Sequence, residues 1–212
     1  MMSKKPGKLF NLPNVIVLIF IAFSLFSSLT PYFKLDLLIS EKIQSINSGF
    51  FSGVMWFVTS IGNQPLMVYI VSTTCLILYA LRYRVESIVL VLTSAGSTLS
   101  GALIKALVDR PRPSANLVRV SVWLSDKSYP SGHVLIFTVF FGFLLYLLFK
   151  RVNRNLTVIV PMIIFILLIA TIGISRIYLG AHWPSDVVGG YLLGVIWLIL
   201  AIRLYNSYHG KR

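Results

Sequence analysis

The chain has 212 residues, 57% hydrophobic and 12% charged, with 19 Lys and Arg against 6 Asp and Glu for a formal net charge of +13. That composition excludes an ordinary soluble domain. The cations sit in short loops between apolar runs and form no basic stripe interleaved with aromatics, so nucleic acid is not an expected partner either.

Taken in chain order, the first apolar run is Leu12 to Leu29, preceded by Lys4, Lys5 and Lys8. It lacks a small-x-small cleavage site before Thr30 and Pro31, and it is long enough to cross a bilayer core of about 30 Å at about 1.5 Å per residue. It reads as an uncleaved first helix. The stretch from Leu35 to Ile61 is different: Leu35, Leu38, Ile39, Ile43 and Ile46 recur at helical spacing beside Lys34, Asp36, Glu41 and Lys42. This is the pattern of an amphipathic helix lying in the interface. Gly49 to Ile61, at 13 residues, is too short for a crossing and reads as a partly embedded segment.

Five further runs have spanning length: Pro65 to Leu81, Ser87 to Val108, His133 to Phe149, Leu156 to Ile174 and Asp186 to Leu204. The single cysteine, Cys75, lies inside one of them, so neither an intramolecular disulfide nor a cysteine metal cluster can form. Pro161, Gly189, Gly190 and Gly194 permit kinks and close helix contact. With no internal repeat and no long linker, the expected fold is all-α, a single membrane-embedded domain over residues 1–212. It is a six-transmembrane-helix bundle with an interfacial amphipathic helix between the first two spans.

Six spans put both termini on one side, which carries 11 of the 19 Lys and Arg. Of the 8 on the other side, Lys105, Arg112 and Arg176 have a chemical explanation, leaving 5. The asymmetry predicts cytoplasmic termini in a cell membrane.

Three polar clusters then fall at the opposite, extracytoplasmic level: "KALVDRPRP" ending the third span, "YPSGHVLIF" opening the fourth, and "SRIYLGAHWPSD" joining the fifth and sixth. Ionisable groups at membrane depth are costly and usually mark a site. Lys105, Arg112 and Arg176, the Ser131 hydroxyl and the backbone N–H groups of the Ser131-Gly132-His133 turn suit a tetrahedral anion such as phosphate. Pro184 fits a first helical position, so Asp186 can reach back over the helix start and accept the Nδ1 proton of His182. That tautomer presents a bare Nε2 to phosphorus. His133 is then the proton donor to the leaving alkoxide and the base for the hydrolytic water, which predicts a bell-shaped pH dependence. Metal is not expected, because the acids of that side, Asp36, Glu41, Asp109, Asp126 and Asp186, are scattered in sequence. Arg119, Trp123 and Lys127 read as solvated loop residues.

Lys105 followed after six residues by Arg112-Pro113, then Pro130-Ser131-Gly132-His133, then Ser175-Arg176 with His182 and Asp186 at their spacings, together resemble the three signature motifs of the type 2 phosphatidic acid phosphatase superfamily. The resemblance implies a metal-independent phosphatase, without cofactor, working through a phosphohistidine. It assigns Lys105, Arg112, Ser131, Gly132, His133 and Arg176 to the phosphate, His182 to nucleophilic attack, and Asp186 to the position behind His182. It further implies a phosphoric monoester hydrolase acting on a phospholipid or polyprenyl phosphate that enters from the bilayer. Phosphatidylglycerophosphate is the expected substrate, with undecaprenyl pyrophosphate or phosphatidic acid as alternatives. A non-catalytic lipid-phosphate binder would need the cations but not both histidines and Asp186. The sequence carries no signal for oligomeric state.

Overall fold

The computed structural model describes residues 12–150 and 155–209. Lys4, Lys5, Lys8, Arg151, Arg154, Lys211 and Arg212, which enter the charge asymmetry, lie outside the described residues. The described residues form eight helices and no strand: α1 (Leu12–Leu29), α2 (Lys34–Gln44), α3 (Gly49–Gly62), α4 (Leu66–Ala80), α5 (Arg84–Val108), α6 (Gly132–Lys150), α7 (Leu156–Tyr178) and α8 (Pro184–His209). Helices α1, α5, α6, α7 and α8 are each long and apolar enough to cross a membrane.

The expected second span takes a different form. Helix α4 has only 15 residues, about 22 Å, and meets α3 at a 59° bend. The two short helices together make the sixth candidate span. Pro65, which has no N–H to continue the α3 ladder, stands at the start of α4. The segment expected to be only partly embedded therefore joins α4 in one bent helix pair whose combined length and composition suit a membrane.

Helix α2 is amphipathic as its spacing predicts, but its polar stripe faces the protein. Asp36 and Ser40 are buried, while Leu35, Leu38 and Ile39 are exposed. Gln44 continues the stripe, donating to the carbonyls of Arg119 and Ile177 at 2.9 and 3.1 Å. A bilayer is a good solvent for leucine and a poor one for a carboxylate, so the acid turns inward to find partners.

Helix α6 sits at the centre, packed by α3, α5, α7 and α8, with Phe137, Phe140, Phe141 and Phe143 buried. Helix α7 instead turns Ile163, Ile164, Ile166 and Leu167 outward, the lipid-facing side of the bundle. A methyl group at Gly190 would lie 2.8 Å from the Ser131 carbonyl oxygen, and one at Gly194 would lie 2.6 Å from Cβ of Thr138. These glycines let α8 approach α6 at backbone distance. The segment Ser131 to His133 is thereby brought beside the segment His182 to Asp186.

Candidate active site

Antiparallel packing puts the C-terminal ends of α5 and α7 and the N-terminal ends of α6 and α8 at one level. After α7 the chain reverses through Gly180, whose φ of +67° is natural only for glycine. A Cβ there would also strike the Arg119 carbonyl. The Ala181 and His182 N–H groups then return to the Arg176 carbonyl at 3.0 and 3.3 Å. This turn converts a spacing of six residues into adjacency of Arg176 and His182.

His182 is 2% exposed, and its Nε2 lies 3.2 Å from an Arg112 guanidinium nitrogen. A guanidinium only donates, so Nε2 accepts and carries the lone pair while Nδ1 carries the proton. Burial, followed by the charges of Arg112, Arg176 and Lys105, pushes the His182 imidazole well below its ordinary range. That shift favours the neutral ring, with the Nε2 lone pair turned toward Arg112.

Asp186 reaches back over the α8 start as expected, accepting the Trp183 N–H at 2.8 Å. Its relation to His182 departs from expectation. Nδ1 of His182 stands 3.7 Å from Oδ2 of Asp186, beyond hydrogen-bond length, and has no hydrogen-bond partner. The carboxylate is instead held by the Ser128 hydroxyl, the Trp183 N–H and Arg110, whose guanidinium lies 2.7 Å from Oδ1. Asp186 thus lies beside His182 without bonding to its ring and fixes the start of α8.

The cations are arranged unevenly. Arg176 is 1% exposed; one of its nitrogens donates to Thr59 Oγ1 at 2.5 Å, while Nε and the other terminal nitrogen have no partner. The Ser131 hydroxyl is likewise buried and unpartnered. Unsatisfied buried donors are expensive to maintain, so a cluster of them points to an anion that would satisfy them. The Ser131 N–H is not available to such an anion, because it donates to the Asp186 carbonyl at 3.0 Å. That leaves the N–H groups of Gly132 and His133 at the first two positions of α6, where helices lack internal acceptors. His133 presents its Nε2 to Asn63 Oδ1 at 3.0 Å, at the α3–α4 bend. Lys105 and Arg112 are engaged by Asp126, at 2.8 and 2.7 Å respectively. Burial alone would raise the Asp126 carboxyl, but the bonds and charges of Lys105 and Arg112 outweigh it and hold it at about 2.

All eight sequence-predicted residues therefore converge at one end of the bundle, and others join them that the motifs did not single out. Arg110 and Asp36 are the most consequential. Arg110, with a fully buried side chain, bridges Asp186 at 2.7 Å and Asp36 at 2.8 Å, and Asp36 also accepts the Ser185 N–H and hydroxyl at 2.8 and 2.7 Å. Two of the acids that look scattered in sequence, Asp36 and Asp186, thus share one counter-ion. A signal existed for Asp36: with Ser40 and Gln44 it forms a polar stripe at intervals of four residues. Nothing distinguished Arg110 from Arg112 as the inward-pointing member of "RPRP". Thr59 and Asn63 carried no signal, since α3 was not placed near the site. Of the loop residues read as solvated, Trp123 is exposed; Lys127 pairs with Asp109 at 2.5 Å, and Arg119 lies over the Tyr178 ring at 4.7 Å. No group of three or more His, Cys, Asp or Glu side chains fit to hold a metal is found among the described residues.

If His182 must be neutral to react, its depressed pKa moves the acid limb of kcat/KM downward. The limb is expected below the ordinary histidine value of about 6.5. A pH profile measured in detergent with a midpoint at or above that value would contradict the assignment.

A polytopic helical bundle that gathers Lys105, Arg112 and Arg176 around a buried imidazole at one end has the make-up of a membrane protein that handles phosphate. The chain belongs to the PAP2 superfamily, whose model matches residues 86–209, as its three motifs led us to expect; it is a membrane phosphatase of that superfamily. It is 26% identical over 171 residues to phosphatidylglycerophosphatase B of Bacillus subtilis, covering 78% of this chain and 80% of that one. It is 29% identical over 160 residues to an undecaprenyl-diphosphatase of Sulfolobus acidocaldarius, covering 74% and 71%. The crystal structure of a transmembrane PAP2-type phosphatidylglycerolphosphate phosphatase from Bacillus subtilis superposes with a TM-score of 0.77 over 94% of this chain and 96% of that chain. At 22% identity this last likeness is one of fold.

Proposed function

We propose that the chain is a single-domain, metal-independent lipid phosphate phosphatase that hydrolyses phosphatidylglycerophosphate to phosphatidylglycerol and phosphate. The observation that carries this reading is Arg176, buried with two unsatisfied nitrogens, together with the buried and unsatisfied hydroxyl of Ser131. With Lys105, Arg112 and the N–H groups of Gly132 and His133, these donors match a phosphoryl group whose charge grows in the transition state.

His182 Nε2 attacks phosphorus as the bond to the leaving alkoxide breaks, and that alkoxide takes a proton from His133. The product is a phosphohistidine and a free alcohol. His133 then removes a proton from water, whose oxygen attacks phosphorus and returns His182 with inorganic phosphate. Throughout, Asp186 keeps Nδ1 protonated by its negative field. The excess of Lys and Arg on the terminal side favours cytoplasmic termini and an extracytoplasmic site.

The test is phosphate release by the purified full chain in detergent with chelator present, comparing phosphatidylglycerophosphate, undecaprenyl pyrophosphate and phosphatidic acid. The expected result is undiminished turnover with chelator and the highest kcat/KM on phosphatidylglycerophosphate. A preference for the diphosphate would favour the second reading, which the likeness to an undecaprenyl-diphosphatase supports. Loss of all activity with chelator, restored by a divalent cation, would overturn the metal-independent mechanism.

A further inference from the structure

Between α5 and α6 the chain runs for over twenty residues without regular secondary structure, longer than most connections in a compact fold. Its second half is pinned at two points: the Ser121 N–H donates to the Leu179 carbonyl and the Ser128 N–H to the Arg110 carbonyl, both at 2.9 Å. Between these anchors, residues 126 and 127 turn their acceptors toward the cations. The Asp126 carboxylate bridges Lys105 and Arg112, its carbonyl accepts from Arg112 Nε at 2.8 Å, and the Lys127 carbonyl accepts from Lys105 at 2.5 Å.

Two oxygens of one planar anion, each on a different cation, reproduce the way a phosphate would engage the same pair. The Asp126 side chain is 56% exposed, so it can be exchanged for another anion without unfolding a core. The contrast with Asp186 is instructive: that carboxylate is fully buried and held by Arg110, and Arg110 touches none of the groups assigned to phosphate. Asp126 alone among the described acids contacts those cations.

We infer that Asp126 is a binding-determining residue: its carboxylate occupies Lys105 and Arg112 as an internal competitor, and substrate phosphate binds by displacing it. This rests on the reading of Lys105 and Arg112 as phosphate ligands. The competition selects for a doubly charged phosphate end group, which can take both cations from a singly charged carboxylate. Weaker anions, including carboxylates of surrounding lipids and metabolites, are excluded by the same contest.

The sign of one substitution separates this role from a scaffolding one. If Asp126 competes, Asp126→Asn removes the competing charge from both cations while keeping the backbone carbonyl contacts, and inorganic phosphate binds about fivefold to tenfold tighter by calorimetry on the full chain in detergent. KM for the lipid substrate falls in parallel. If Asp126 instead holds the cations in position, the same change weakens phosphate binding and raises KM. Glu41→Gln removes the same charge from an exposed site on α2 and is expected to leave phosphate affinity within twofold. Equal or weaker binding by Asp126→Asn, or equal tightening by Glu41→Gln, would overturn the inference. If neither protein binds phosphate, the phosphate-site reading itself fails, and this inference with it.

Discussion

Replacing His182 by alanine is expected to abolish phosphate release, by about 10⁴-fold or more, while leaving the fold in place. The side chain is buried but sparsely engaged: Nδ1 has no hydrogen-bond partner, and Nε2 touches only Arg112 at 3.2 Å. Its removal leaves no other buried group stranded, so the melting temperature in detergent should change little. A covalent role adds a second readout. Wild-type enzyme quenched during turnover with phosphorus-labelled lipid should carry an acid-labile phosphoryl group, and His182→Ala should carry none. Retained turnover, or labelling that survives the substitution, would remove His182 as the nucleophile.

The largest effect on stability is expected at Arg110. Its guanidinium is the shared counter-ion of Asp36 and Asp186, with side-chain exposures of 0%, 3% and 0%. Arg110→Ala leaves two carboxylates facing each other in a medium that solvates neither. Breaking a buried pair in this way costs about 3–5 kcal/mol. The melting temperature should drop by many degrees, and activity should fall with it, because Asp186 fixes the start of α8 and so the position of His182. Pairing the change with Asp36→Asn removes one of the stranded charges and should recover part of the lost stability. Additive losses in the double variant would mean that the two side chains do not act through each other.

That network gives α2 a role different from a float at the membrane surface. Asp36 ties the helix to Arg110 and to the Ser185 N–H and hydroxyl, one residue before Asp186. The same logic applies to the α3–α4 bend, which delivers Thr59 to Arg176 and Asn63 to His133. A methyl group at Gly62 would strike the His133 ring, so only glycine allows the bend to lie against that histidine. Segments without motif residues thus form the walls against which the motif residues are set.

Read alone, the chain reveals its solvent and its family. Apolar runs of spanning length follow from the thickness of a bilayer, and they located α1 and α5 to α8 to within a few residues, apart from the extension of α7 through Tyr178 and of α8 through His209. The convergence of the histidines, the hydroxyl and the cations of the three motifs was legible because they stand at the ends of consecutive spans, and alternating helix direction puts those ends at one level. Which charges pair is settled by packing. Spacing reveals that α2 has a polar stripe, but whether that stripe meets water or Arg110 depends on elements far apart in the chain. Likewise, Asp126 and Asp186 are both single acids on one surface, and only packing buries one against Arg110 and sets the other across Lys105 and Arg112. Electrostatic partners act through space over a few ångströms, and sequence distance carries almost no information about that.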